Sequence, residues 1–328
     1  MLNIYYYPKA NNCNQYANNT IKAISASLEC DVQNAPCLKE FVKRPLTYIL
    51  AKRVDYLIVN WLESELSNKE GKISILGTLK FFVYLVFFKL VADKLIYVRH
   101  NMYPHNMHGV SAKIAQHITN IAEKLFCYKK VAHSGHLTHA GYIYIPHPLY
   151  DSVDFSEINK GEYFIIFGKI ERYKNIESVI NEWNNENLLI IAGAVGDCDY
   201  LREIMLLAEN KNKNVKFEAR FIPEEEASRL VGNSKGVILA HAEKDMIASG
   251  SFFYALSLGV PIIAKKQPFF EWLVNDEKIK SVYVYEDFTE LNNIAYFRIE
   301  ISADLILKEA TELFGEEKVQ KCWKEMLK

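Results

Sequence analysis

No C-x-x-C pair occurs in the 328 residues; the six cysteines stand apart at positions 13, 30, 37, 127, 198 and 322. That scatter excludes a zinc ribbon and a disulfide framework and points to a reducing compartment. No stretch of about 20 apolar residues is free of charge, so no spanning helix is expected. The first residues carry no basic n-region and no cleavage site, and Leu2-Asn3-Ile4-Tyr5-Tyr6-Tyr7 reads as a strand at once. A secretion signal is therefore not expected, and a cytoplasmic location is. Internal repeats and low-complexity segments are also missing. With 50% hydrophobic and 24% charged residues, the composition excludes a disordered or fibrous chain.

Net charge is nearly absent too, at −1, but the balance is uneven. Residues 1–150 hold 17 Lys+Arg against 9 Asp+Glu, a net +8, and the remainder holds 22 against 31, a net −9. A basic half and an acidic half suggest two bodies that meet different partners, and the length agrees with two domains.

Short apolar runs punctuate the acidic half: Tyr163–Gly168, Leu188–Gly193, Val215–Arg220, Gly236–His241, Val260–Lys265 and Ser281–Glu286. Polar segments such as Asn175–Trp183 and Cys198–Glu209 lie between them, each long enough for a helix. Strands that are apolar throughout are buried on both faces, as in parallel sheets, and the alternation predicts doubly wound βαβ units. The basic half repeats the rhythm in Leu2–Tyr7, Asp55–Trp61, Lys94–His100, Lys130–Ser134 and Gly141–Pro146. Pro146–Gly161 carries Pro, Asp, Ser and Gly without periodicity and is read as the linker. Two similar α/β domains follow, 1–150 and 151–328, with a cleft expected between them. Ala303–Lys328 is helical in pattern, and its last helix can pack back on the first domain.

Four features could carry chemistry. Phe167–Asn175 (FGKIERYKN) is a strand end, a glycine turn and a helix start with three cations, Lys169, Arg172 and Lys174. Ligands of open α/β sheets bind at carboxyl strand ends, and cations beside a helix N-terminus suit a diphosphate. The same residues would also serve as a solvated helix start. Ser249-Gly250-Ser251 precedes an apolar helix that Gly259 closes, which is an N-cap cluster and also a place where an anion can approach the helix dipole. Arg99–His108 follows a buried strand and places His100 at the sheet's carboxyl edge, where it can act as a general base or make a structural hydrogen bond. Eight of the nine histidines fall between 100 and 147, and His133, His136 and His139 are spaced by three. No Cys or carboxylate completes a familiar ligand set beside them, so no metal site is expected. Finally, Ile75–Asp93 is intensely apolar but interrupted by Lys80 and Lys89. It reads as a helix packed on a sheet, with a place on a membrane surface left open.

In order along the chain these motifs resemble those of GT-B glycosyltransferases, particularly bacterial exopolysaccharide and capsule enzymes of the group-1 and β-mannosyltransferase-like families. Tyr56–Glu63 (YLIVNWLE) resembles a strand ending in HWLE, with Asn60 in place of the His. Leu79-Lys80-Phe81 through His100-Asn101-Met102-Tyr103-Pro104-His105 resembles K-F … W-T-V-H-N-x-x-P-H-E, with Asn106 where the Glu stands. Ile145-Pro146-His147-Pro148 resembles the I-P-H-P before the linker. Phe167–Asn175 resembles F-G-R-I-x-x-Y-K-G, whose Arg and Lys hold the donor diphosphate and fall on Lys169 and Lys174. Leu188–Gly193 resembles L-L-I-A-G, and Ser249–Pro261 resembles S-G-x-x-x-x-A-L-S-x-G-x-P. Retaining group-1 enzymes carry two glutamates eight positions apart; here Met246 and Tyr254 stand there, leaving Glu243 or Asp245 to meet a donor ribose.

The resemblance implies two Rossmann-like domains and a metal-independent hexosyltransferase without a resident cofactor. It places a nucleotide-diphosphate sugar on the C-terminal domain, at Gly168, Lys169, Arg172, Lys174, Glu243, Ser249, Gly250 and Ser251. The N-terminal domain would take a lipid-linked or saccharide acceptor, with His100 or His105 as base, at the cytoplasmic face of the inner membrane in surface polysaccharide synthesis. No nucleic acid is expected as a partner. A nucleotide-sugar epimerase of the same fold and a non-catalytic partner subunit are the alternatives.

Overall fold

The computed structural model describes residues 2–10, 14–28, 30–49, 51–151, 161–241, 246–297 and 299–328. Glu243, Asp245 and most of the expected linker lie outside the described residues. The chain forms two compact units, Met1–Pro148 with Glu316–Lys328, and Leu149–Gly315.

In the first unit the strands are β1 (Asn3–Tyr7), β2 (Asp31–Asn34), β3 (Val54–Asn60), β4 (Ala92–Arg99), β5 (Lys129–Ala132) and β6 (Ile143–Tyr144). All pair in parallel, in the order β2-β1-β3-β4-β5-β6. Its helices are α1 (Gln15–Leu28), α2 (Leu38–Lys43), α3 (Pro45–Ile49), α4 (Ile75–Val91) and α5 (Gly109–Phe126). Side-chain alternation along the central strands builds two cores at once. Leu57, Val59, Leu95 and Tyr97 pack with Phe81, Leu85 and Phe88 of α4 on one face. Tyr56, Ile58, Ile96 and Val98 pack on the other with Tyr16 and Ile24 of α1.

The second unit repeats the plan with β7 (Tyr163–Phe167), β8 (Leu188–Ala192), β9 (Val215–Glu218), β10 (Gly236–Leu239), β11 (Ile262–Lys265) and β12 (Val282–Tyr285), ordered β12-β11-β10-β7-β8-β9 and parallel throughout. Its helices are α6 (Ile176–Glu182), α7 (Cys198–Asn210), α8 (Glu224–Gly232), α9 (Gly250–Ser257), α10 (Pro268–Asn275), α11 (Phe288–Phe297) and α12 (Ala303–Phe314). In both sheets the strand order reverses beside the first strand of the unit, the topological switch point where such sheets bind ligands.

The helical C-terminal stretch forms two helices, α12 and a final one. At Gly315 the backbone turns extended (φ −63°, ψ 161°), and a Cβ there would lie 2.3 Å from the Thr311 carbonyl oxygen. The final helix, α13 (Glu316–Leu327), belongs to the first unit, where Val319, Trp323 and Met326 join the core beneath α1.

Candidate functional site

The carboxyl edge of the second sheet gathers three of the sequence-derived residues at one point. Strand β7 ends at Phe167 and the chain turns at Gly168 with φ +110°, a conformation open to glycine. Beside it Gly193 follows β8 at φ +143°, and a Cβ there would lie 2.2 Å from the Gly168 carbonyl oxygen. The two turns therefore approach more closely than any side chain permits. The chain then runs through the single turn Arg172–Lys174 into α6, passing Asn175 in the left-handed region at φ 54°. This reversal brings the Lys174 Nζ back to the strand end, 3.0 Å from the Phe167 carbonyl oxygen and 3.4 Å from Ser251 Oγ.

Ser251 Oγ in turn donates to the same carbonyl at 2.9 Å, tying α9 to the end of β7. Ser249 caps α9 by accepting the Phe252 N–H at 3.4 Å. The first N–H groups of α9, those of Gly250 and Ser251, have no carbonyl within the helix to bond and form the positive end of its dipole. A Cβ on Gly168 would lie 3.0 Å from Lys174 Nζ and 3.1 Å from Ser251 Oγ, so the bare backbone, the ammonium and the hydroxyl surround one small space. Burial of Lys174 lowers its pKa to about 8, the nearby Glu171 carboxylate opposing that shift. Its burial, with a carbonyl and a hydroxyl for partners, leaves the ammonium short of negative charge.

Lys169 and Arg172 take other partners. Lys169, 59% exposed, pairs with Glu171. Arg172 places its two Nη atoms 2.8 Å from the Glu203 oxygens and its Nε 3.2 Å from Asp197, with its guanidinium over the Tyr200 ring. The carboxylates come from the second turn of α7 (Glu203) and from its N-cap (Asp197), and they hold the guanidinium pKa above its ordinary value. Tyr254, which stands where the resembled enzymes carry their second glutamate, also has its own partners. The Tyr254 ring stacks on Phe167 at 5.3 Å, and its hydroxyl donates to Glu224 at 2.9 Å. Two residues escaped the sequence reading. Tyr173, next to Lys174, stacks at 5.5 Å and 6° on buried His241, which follows β10 at the same sheet edge. The signal for His241 was the one that pointed to His100: a histidine closing an apolar strand.

The carboxyl edge of the first sheet carries a buried aromatic and histidine cluster. Asn60 ends β3, His100 follows β4, His133 follows β5 and His147 comes shortly after β6. Trp61, in the left-handed region at φ 52°, lays its ring on His100 at 4.2 Å and 21°. Asn60 Nδ2 donates to the Tyr7 carbonyl at 3.0 Å, so its Oδ1 must accept from His100 Nε2, 3.0 Å away. Neutral His100 thus holds its proton on Nε2 and its lone pair on Nδ1. His133 Nδ1 donates to the Ile145 carbonyl at 2.8 Å, leaving Nε2 to accept the Tyr16 hydroxyl proton at 2.8 Å. His147 Nδ1 donates to the Pro148 carbonyl at 2.6 Å. Burial pushes His100 and His147 well below the usual histidine range and His133 down to about 4, and mutual repulsion among the rings adds to this for His100 and His147. All three are neutral near pH 7.

His105 is exposed on the loop after β4. That loop is held from below by buried Arg99, which pairs with Glu123 at 2.7 Å and donates to the Asn101 and Met102 carbonyls at 2.8 and 2.5 Å. Asn106, which differs from the glutamate of the motif it resembles, accepts from Ser67 Oγ at 2.8 Å and donates to the Asn68 carbonyl at 3.0 Å. Of the three spaced histidines, His136 meets Ser134 at 2.5 Å while His133 turns to Tyr16, and among the described residues no three His, Cys, Asp or Glu groups gather as a metal set.

Neither a family model nor a curated protein matches the sequence. Solved structures do match. The chain is similar to Anabaena Alr3699/HepE in complex with UDP and glucose, at 14% identity over 100% of this chain and 99% of that one, with a TM-score of 0.70. It is similar to sucrose-phosphate synthase from Thermosynechococcus elongatus, at 12% identity over 99% and 98%, with a TM-score of 0.71. It is also similar to the apo form of WaaB, a lipopolysaccharide outer core galactosyltransferase, at 13% identity over 99% and 98%, with a TM-score of 0.58. The likeness is one of fold: two parallel six-stranded sheets with flanking helices, the GT-B fold.

Proposed function

We propose that the chain is a metal-independent glycosyltransferase that moves a hexose from a nucleoside-diphosphate sugar to a lipid-linked or saccharide acceptor in bacterial surface polysaccharide synthesis. The observation that carries this reading is the convergence of Gly168, Lys174 and the capped start of α9 at the end of β7. Breaking the bond from the sugar's anomeric carbon to the diphosphate leaves negative charge on the leaving oxygen. A fixed ammonium and helix N–H groups stabilise that charge without reorganising, which is the largest electrostatic demand of the step. Tyr173 and His241 offer a stacked aromatic wall beside the ammonium. Lys169 and Arg172 serve here to shape the turn through their carboxylate partners, and Lys174 carries the donor contact.

The acceptor belongs to the first unit. In an inverting transfer its hydroxyl oxygen bonds the anomeric carbon while its proton passes to a base. His100 fits that role, with a lone pair on Nδ1 and an imidazole that burial keeps neutral. His105, exposed on the neighbouring loop, is the second choice.

Solved relatives of the fold crystallised with UDP or UDP-glucose make the uridine series the first donors to try. Calorimetry with UDP, GDP, CMP and their sugars tests the donor half, and mass spectrometry of a lipid-linked acceptor tests transfer. Failure to bind any of them would favour a non-catalytic subunit. Conversion of the donor to an isomeric nucleotide sugar without acceptor would identify an epimerase instead.

A further inference from the structure

Ten large aliphatic side chains lie exposed on two touching helices of the first unit. On α4 they are Ile75, Leu76, Leu79, Val83, Val86 and Leu90, with Ile75 and Leu76 at 84% and 80% exposure. On α5 they are Val110, Ile114, Ile121 and Leu125. The two helices meet through Phe82 and Phe126, whose rings are 6.4 Å apart, and both pack on the same face of the first sheet. Steps of three and four residues put each set on one side of its helix, opposite the buried Phe81, Leu85 and Phe88 on α4 and Ala112, Ala115 and Ala122 on α5. Helix α4 is thus apolar on both faces. Scattered exposed aliphatic residues are ordinary, whereas a contiguous set marks an interaction surface.

The exposed charges on the two helices themselves have one sign, and the exposed Asp93 just after α4 is paired with Arg53 at 3.2 Å. Lys80 and Lys89 on α4 and Lys113 and Lys124 on α5 are exposed, and neither helix presents an exposed carboxylate of its own. Lys80 shares its charge with Glu65 of the preceding turn at 2.8 Å. The composition also separates the candidate occupants. Protein interfaces favour Tyr, Trp, Phe, Met and Arg, whereas every exposed apolar residue here is Ile, Leu or Val and every cation on the two helices is Lys. Long lysine stems that let an ammonium reach out from an aliphatic surface suit the boundary between acyl chains and phosphate headgroups. At 17 residues α4 falls short of a bilayer span, and among the described residues no helix is long and apolar enough to cross one.

We infer that the outer face of α4 and α5 docks the chain onto an anionic lipid bilayer, with the aliphatic side chains entering the headgroup boundary and Lys89, Lys113 and Lys124 meeting lipid phosphates. The inference stands apart from the donor site: a chain that binds vesicles yet transfers no sugar would overturn the proposed function and leave this surface in place.

Flotation of the full chain with vesicles of phosphatidylcholine containing about one-third phosphatidylglycerol tests it, against phosphatidylcholine alone. The chain is expected to float with the anionic vesicles, and added salt to weaken that binding. The triple substitution Leu76→Glu, Leu79→Glu, Val83→Glu should lower the bound fraction at least about tenfold. Lys89→Glu, Lys113→Glu, Lys124→Glu should remove the preference for anionic lipid. All six positions are exposed, so unchanged melting and circular dichroism are expected of both variants, and Leu305→Glu in the second unit serves as the neutral control. Wild-type chain that stays unbound, or an aliphatic variant that binds like wild type, overturns the inference. So does ultracentrifugation in which that variant dissociates a self-associated form while lipid binding is absent, because the face would then join two copies.

Discussion

Asn60 Oδ1 sits 3.0 Å from His100 Nε2, and the Asn60 amide is oriented by its own bond to the Tyr7 carbonyl. An asparagine at the end of β3 thereby decides which nitrogen of a histidine after β4 is basic. Asn60→Leu leaves the Nε2–H without its acceptor and frees the tautomer, so kcat should fall by about 10²-fold with little change in donor Kd. Asn60→Asp places a carboxylate beside the ring and favours the imidazolium. The acid limb of the kcat/KM profile, expected below the usual histidine range in the wild type, should then move upward. A pH–rate profile of both variants checks this, and a purely structural role for Asn60 would leave the limb in place.

The same cluster predicts acid sensitivity. The folded-state pKa of His133 is about 4 against an ordinary 6.5, and His100 and His147 are displaced in the same direction. For such groups the unfolded chain binds more protons as pH falls. The stability they permit is full above about pH 6.5 and drains away toward pH 4. Urea midpoints measured from pH 7 to 4.5 should fall steeply, and His133→Gln should make the slope shallower by about one proton.

Much of the fold was legible because its strands are apolar throughout, as β7, β8 and β10 are, and that pattern fits little besides a parallel sheet. Strand β2 (DVQN) was not, since an edge strand with exposed, polar side chains carries no burial pattern. At the site, Lys169, Arg172 and Lys174 look equivalent in sequence. What separates them is tertiary: Glu203 reaches Arg172 from 31 residues away, and Ser251 reaches Lys174 from 77. The bond between Asn60 and His100 spans 40 residues and has no local signature. In α4 an apolar run shows that a helix is buried somewhere, but only the packing shows that one face is not.

Gly168 and Gly193 separate stability from binding. A methyl at Gly193 meets backbone at 2.2 Å in a positive-φ turn, so Gly193→Ala should destabilise by at least about 3 kcal/mol. At Gly168 the neighbours are the ends of Lys174 and Ser251, at 3.0 and 3.1 Å, which can give way. Gly168→Ala should cost only about 1–2 kcal/mol of stability, mostly from its φ of +110°, yet weaken nucleotide binding more than its stability loss suggests. Thermal unfolding and calorimetry on the two variants separate the effects.

Lys174 ties the donor to pH. Its folded-state pKa of about 8 lies below the ordinary 10.5, so between those values the unfolded chain holds more protons than the folded one. Stability from this group therefore rises with pH across that window, and Lys174→Met should abolish the rise without lowering stability at pH 7. Donor binding has the opposite sign, because a diphosphate needs the ammonium and raises its pKa by pairing with it. Affinity should fall as pH climbs through 8, and binding at pH 8 should take up a proton, visible by calorimetry in buffers of different ionisation enthalpy. Lys174→Met should weaken nucleoside diphosphate by about 10–100-fold, the worth of one charged hydrogen bond, and erase the proton uptake. A variant that loses stability and affinity together would make Lys174 a core residue, whereas loss of affinity alone makes it the donor's cation.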